Sequence, residues 1–159
     1  MKVILWRRPD GGFSFTPFGE TKKAALAHAD DLLKLADYAG WTVEGICNDA
    51  DMPDGGHGAR PAARAFRNAW DIVNGKPILV MDRARDLHRD RLRVARAPLL
   101  AATDVDYQRA DENGDLAQKT AVAARKQALR DITKHPAIDA AETPEDLAAL
   151  TLEALTASL

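Results

Sequence analysis

Asp49, Asp51 and Asp54 lie close together in a segment that also holds Gly55, Gly56 and His57. Carboxylate oxygens at alternate positions of a glycine-containing loop are the arrangement that wraps a hard cation such as calcium. The fit is partial. The third acid is displaced by one place, Pro53 interrupts, and no glutamate closes the far end of the loop. The other histidines, His28, His88 and His135, never fall at the spacing that sets two imidazoles on one metal from a single helix. Nucleophilic chemistry finds no Gly-x-Ser-x-Gly elbow: Ser14 sits in a strand-like segment and Ser158 at the chain end. Gly55-Gly56-His57-Gly58 leads into no helix start, and no Gly-x-x-x-x-Gly-Lys phosphate cradle is present. Cys47 reads as a small buried hydrophobe on a strand, because nothing beside it would stabilise a thiolate. The sequence assembles no set of catalytic roles, so the expectation is a non-enzymatic protein without metal or cofactor. A hydrolase using a metal held by residues 49–57 is the chemical alternative.

The charged residues carry more pattern. Arg83, Arg85, Arg89, Arg91, Arg93 and Arg96 are interleaved with Asp82, Asp86 and Asp90. Residues four apart are neighbours on a helix surface, so an acidic row runs beside a basic row. Asp82–Arg85, Asp86–Arg89 and Asp90–Arg93 are then spaced to pair. Such pairing describes a salt-bridged, solvated helix, and it would cancel much of any attraction for phosphate. Binding of nucleic acid is therefore not expected. A small regulator that grips nucleic acid or a host complex through residues 83–96 is the alternative reading. Arg85, His88 and Arg89 on this helix are candidate partner-binding residues. Phe66, Arg67 and Trp70 are candidates too: aromatic and arginine side chains dominate interface hot spots, although the two aromatics could equally anchor the preceding loop to a core.

The net charge of −2 hides an uneven distribution. Residues 1–81 balance 10 basic against 10 acidic side chains, residues 82–135 carry 12 against 9, and residues 136–159 carry none against 5. The apolar fraction is 46%, but much of it is alanine, with only three Trp, four Phe and two Tyr. Each buried methylene contributes roughly 0.8 kcal/mol, so an alanine-rich half is weakly driven to fold alone. Self-association or a partner would supply the missing burial. With one cysteine, no apolar run near the ~20 residues that span a bilayer and no signal-peptide pattern at the start, the expected setting is the cytoplasm.

Several elements would position these residues. Val3-Ile4-Leu5-Trp6 and Phe13-Ser14-Phe15-Thr16 flank Pro9-Asp10-Gly11-Gly12, a hairpin signal. A helix is predicted over Thr21–Ala39, with Ala25, Ala29, Leu32, Leu33 and Ala36 on one stripe and Gly40 as its cap. Trp41 to Cys47 reads as a third strand, and residues 48–63 as a flexible loop. Ala69–Val73 and Pro77–Val80 flank Asn74-Gly75, a second hairpin, in which Pro77 confines its strand to an edge or a short ladder. From Asp82 the period is helical, with Ala84, Leu87, Leu92, Ala95, Leu99 and Ala102 on one face and a kink or break expected near Ala95 from Pro98. Asn113-Gly114-Asp115 turns the chain. A second helix follows, striped by Ala117, Ala121, Ala124, Ala128 and Ile132. The two make an αα-hairpin over 82–133, folded back on each other along these stripes with the remaining flank left for another polypeptide, and a last helix covers 144–157. The predicted fold class is α+β: a small head over 1–81 with a hairpin, helix and strand, then a helical region over 82–159.

Arg64-Ala65-Phe66-Arg67-Asn68-Ala69-Trp70 and Val80 to Arg89 resemble segments of small tailed-bacteriophage proteins, and so do Arg96 to Asp104 and Lys126 to Asp131. The group is found in phage and prophage tail-gene regions and is similar to the tail-fibre assembly proteins. The resemblance covers roughly residues 64–150, with Val105 where those proteins often carry an aromatic. It implies a chaperone or fibre-associated structural protein that acts by protein contacts. Its partner would be a tail fibre or another virion protein. The host cytoplasm would be the place of assembly, and the virion tail a second place to find the protein.

Overall fold

A computed structural model describes residues 1–56 and 58–157. His57 and Ser158, both weighed above for chemistry, lie outside the described residues. The chain divides into two units, Met1–Val80 and Met81–Leu159. The boundary falls one residue earlier than the sequence suggests, because the Val80 N–H still donates to the Ala69 carbonyl while Met81 already opens a helix. The architecture is α+β, as expected, with small antiparallel sheets first and long helices after them.

The first unit is built on β1 (Lys2–Arg7), the middle strand of the order β2-β1-β3, with β2 at Phe13–Pro17 and β3 at Thr42–Asn48. Val3, Ile4, Leu5 and Trp6 are all buried, so both faces of β1 are covered. Successive strand side chains point to opposite faces. Val3 and Leu5 pack with Cys47, Met52, Trp70, Ile72, Phe13 and Phe15. Ile4 and Trp6 pack with Ala25 and Ala29 of α1 (Lys22–Leu32) and with Tyr38, Trp41, Val43 and Ile46. The first face is closed by the hairpin of β4 (Trp70–Val73) and β5 (Lys76–Leu79), whose turn has Asn74 at φ 52° and Gly75 at φ 71°. Two consecutive left-handed residues are what the tightest hairpin connection requires, which is why Asn-Gly occupies it.

Two expectations for this unit are corrected. The helix predicted over Thr21–Ala39 ends at Leu32, where Leu33 N–H still reaches Ala29 but Lys34 and Leu35 close tighter turns on Asp31 and Leu32. Leu33 and Ala36 are consequently exposed. The chain leaves the helix because Tyr38 and Trp41 turn back onto Trp6, with ring centroids 5.4 and 6.2 Å away. Burying three aromatics against β1 outweighs a further helical turn. Residues 48–63 likewise contain structure: a short 3-10 turn at Asp49–Asp51, and α2 at Pro61–Ala65 with proline at its start. Gly55 N–H donates to Met52 C=O (2.8 Å) and Arg60 N–H to Asp54 C=O (2.7 Å).

The second unit begins with α3, Met81–Glu112, which runs through Pro98 without the expected break. Proline cannot bond the carbonyl four residues earlier, which belongs to Val94. Val94 is 75% exposed, so the break in the ladder falls on the solvent side of the helix. The turn after α3 is a Schellman closure, with Asp115 N–H on Ala110 C=O, Gly114 N–H on Asp111 C=O and Gly114 at φ 68°. Asp115 then caps α4 (Leu116–Asp131) through Gln118 N–H. The antiparallel hairpin is as predicted; its inward faces agree with the sequence at Ala84, Leu92 and Ile132 and differ at other positions. On α3 the buried positions are Ala84, His88, Leu92, Thr103 and Ala110, while Ala95, Leu99 and Ala102 are exposed. On α4 the inward row is Lys119, Val122, Lys126 and Leu129, and Ala117, Ala121 and Ala124 face solvent. The predicted final helix is divided, after α5 (Pro136–Ala140), into α6 (Pro144–Ala149) and α7 (Leu152–Thr156). No helix among the described residues is long and apolar enough to cross a membrane.

Gly45 on β3 lies against the β4–β5 turn: a Cβ there would lie 2.8 Å from the Gly75 carbonyl oxygen and 3.0 Å from its Cα. Both neighbours are backbone and cannot swing aside. Gly45→Ala is expected to cost about 1–3 kcal/mol, read as a lower denaturation midpoint. Gly114→Ala offers a control in which only the left-handed backbone, with open space around it, resists the change.

Candidate functional site

The residues singled out in the sequence fall in both units. In the first, Phe66 and Trp70 are each 1% exposed. Trp70 donates its indole N–H to the Ala63 carbonyl at 3.1 Å and lies 5.7 Å from Phe15, centroid to centroid. They anchor the loop to the core and are withdrawn from any surface, which corrects their assignment as partner-binding residues. Arg67 is exposed, with its guanidinium 5.3 Å above the Phe15 ring.

The loop acids are occupied by local structure. Asp51 accepts from the Asn48 backbone N–H (3.1 Å) and side-chain amide (2.8 Å), and these bonds hold its carboxyl below the ordinary range. Asp54, 4% exposed, accepts from Gly56 N–H at 3.3 Å and pairs with Arg64 at 3.3 Å. Among the described residues no group of acids, histidines and cysteine converges on a metal position. Cys47 is buried beside Met52, with 3.7 Å between the sulfurs, and burial pushes its thiol up to about 11.

In the second unit the predicted ladder is present. Arg85 pairs with Asp82 (2.6 Å), Arg89 with Asp86 (3.0 Å) and Arg93 with Asp90. The same arginines reach further. Arg85 donates to the Ala141 carbonyl at 2.8 Å, Arg89 pairs with Asp139, and Arg96 donates to the carbonyls of Leu129 and Arg130. His88 is 6% exposed and its Nε2 lies 3.0 Å from the Leu150 carbonyl, which can only accept. The neutral ring therefore carries its proton on Nε2. That bond explains the divided last helix: Leu150 gives its carbonyl to His88, and Thr151 starts α7 by accepting from Ala154 N–H. Arg85, His88 and Arg89 thus fasten the acidic C-terminal segment to α3, and His88, being buried, is corrected as a partner contact.

Among its exposed residues, many of them charged, this unit also carries large apolar side chains. Val94 and Leu116 are each 75% exposed, Val105 45% and Leu99 38%. Leu99 lines an open groove of about 480 Å³ together with Ala124, Arg125, Ala128, Leu129 and Thr156. The floor is made by the alanine side of α4, where short side chains let another backbone come close. Sequence reasoning identified the alanine stripe but assigned it to the interior of the hairpin. Comparison of the chain with family models, with curated proteins and with solved structures finds no match.

His88 gives this unit a pH response. Burial, then the nearby Arg91 and Arg89, lowers its pKa from the usual 6.5, while the Leu150 bond opposes the shift. The unfolded chain therefore binds the extra proton first as pH falls. Stability is full above about 6.5 and declines as pH drops through that value towards the depressed folded one. Urea midpoints of the helical unit between pH 7.5 and 5 are expected to fall, and His88→Gln to flatten the slope. In the first unit Trp70→Ala should lower stability by about 3–5 kcal/mol, against little change for Arg67→Ala, by chemical denaturation.

Proposed function

We propose that this protein is a non-enzymatic assembly factor that docks another polypeptide on the flank of its helical hairpin. The tail-fibre resemblance names the class of partner: a fibre or other virion protein of a phage or prophage, engaged in the host cytoplasm. The observation that carries this reading is the groove floored by Leu99, Ala124, Ala128 and Leu129, in a unit that also exposes Val94, Val105 and Leu116. Exposed apolar side chains gathered in a groove mark interaction sites. The pairing of Arg85, Arg89 and Arg93 with carboxylates within α3 weakens the competing nucleic-acid reading, because those charges are partly neutralised before any phosphate arrives.

The test is co-expression with the neighbouring tail-fibre gene, followed by co-purification. Leu99→Glu and Ala124→Arg place charge in the groove at exposed positions, so the fold should hold, with thermal midpoints close to wild type. Both variants are expected to release the fibre at least tenfold more readily. A fibre that trimerises and stays soluble without this protein, or that co-purifies equally with wild type and Leu99→Glu, overturns the proposal.

A further inference from the structure

The outer edge of β3 holds peptide groups turned away from the sheet. On the other side of β1, Phe18 N–H donates to Lys2 C=O and Arg8 N–H to Gly12 C=O, so even-numbered positions of β1 bond towards β2. Odd-numbered positions bond towards β3, as Asp49 N–H does to Met1 C=O at 3.0 Å. Antiparallel ladders alternate in this way. With Val3 opposite Cys47 and Ile4 opposite Ile46, the peptide groups of Ile46 and Asn48 turn away from β1. Asn48 shows the same parity, since its N–H is taken by the Asp51 carboxylate.

Beside that edge is an open groove of about 450 Å³ bounded by Ile46, Asn48, Asp51, Pro77, Ile78 and the Asn74-Gly75 turn, with Lys2 and Lys76 in its lining. In the β4–β5 ladder Val80 N–H donates to Ala69 C=O, which makes Asp71–Ile78 the next bonded pair and leaves Pro77 opposite Ile72 in a non-bonded one. Proline's missing N–H therefore costs that ladder nothing. Ile46 is half-buried and Ile78 is 40% exposed, so the groove also offers apolar contact to a side chain.

Charge selects among extended segments that would fit. Lys2 donates its ammonium to the neutral Asn48 side-chain oxygen at 2.6 Å, and Lys76 is exposed. Both lie near enough to Asp51 to favour its ionised form, after the larger effect of the Asn48 hydrogen bonds. Two ammonium groups against one carboxylate, itself bonded twice by Asn48, leave the lining positive.

We propose that this groove receives a short extended segment of another polypeptide, bearing a carboxylate, that pairs with the Ile46 peptide group as a strand added to β3. Its carboxylate meets Lys2 and Lys76. The reach of the added strand is set by two features of the fold: Asp51 already caps Asn48, and the close approach of Gly75 to Gly45 shuts the other end. The site therefore reads about three residues of an extended chain, at roughly 3.3 Å each. It belongs to the first unit alone and does not depend on the reading of the hairpin flank.

The experiment uses the full chain, labelled with nitrogen-15, and titrates an end-blocked pentapeptide Thr-Val-Asp-Val-Thr to millimolar concentration. Expected are a saturable shift of the Ile46 amide, slower hydrogen exchange at that amide, and at least tenfold weaker binding of Thr-Val-Lys-Val-Thr. Lys76→Glu, an exposed change that leaves the fold intact, should weaken the acidic peptide by a similar factor. No response, equal binding of both peptides, or shifts around the groove without slowed exchange at Ile46 would each overturn the proposal.

Discussion

Everything in the first unit follows from a strand that cannot leave either face in water. Val3, Ile4, Leu5 and Trp6 are four consecutive large apolar residues, and a strand must send them alternately up and down. Burying a side chain of that size stabilises by about 1.5–3 kcal/mol, so both faces need a cover. Helix α1 lies on one and the β4–β5 hairpin on the other. Where the helix is too short to complete its layer, Tyr38 and Trp41 do so, and the helix ends early to let them. Gly45 is the point at which the opposite layer meets the sheet, backbone against backbone.

The helical unit is organised on a different principle. Its inward seam mixes the apolar Ala84, Leu92, Ala110, Val122 and Leu129 with the polar Thr103, Tyr107, Lys119 and Lys126, and with His88 and Arg96 nearer the α3 start. Lys126 pairs with Asp104 and Lys119 with Asp111, and both ammonium groups lie over the Tyr107 ring at 5.4 and 5.3 Å. Lysine buries its methylene stem and sends its charge to the rim, which lets such a residue occupy a position that an apolar pattern assigns to alanine. The C-terminal segment is then tied to α3 by hydrogen bonds to main-chain carbonyls at Ala141 and Leu150.

This contrast explains what the sequence made legible. Both hairpins, the third strand, the helix-turn-helix at Asn113-Gly114-Asp115 and the Asp–Arg pairs were readable, because local chemistry fixes them: turn residues with left-handed backbone, caps, and spacings on one helix. The faces of α3 and α4 were legible only at Ala84, Leu92 and Ile132. Stripes chosen for apolar residues selected Ala95, Ala102, Ala117 and Ala121, all exposed, and passed over Thr103, Lys119 and Lys126. The end of α1 and the division at Leu150 were hidden for another reason. Each is decided by a residue distant in sequence, Trp6 in one case and His88 in the other. Phe66 and Trp70 looked equally suited to an interface or a core, and only the Ala63 carbonyl and Phe15 decide between them.

A hairpin that admits polar side chains to its own seam leaves some of its large apolar ones outside. Val94, Leu99, Val105 and Leu116 are the large side chains so displaced, and Leu99 shares a groove with Ala124 and Ala128 of α4. The same arrangement that makes the seam weak in buried area makes the flank available. A polypeptide that covers this flank in the folded unit, and has no counterpart surface in the unfolded chain, shifts the folding equilibrium by mass action. Under the proposed function, stability of the helical unit and occupancy of its groove would be coupled quantities.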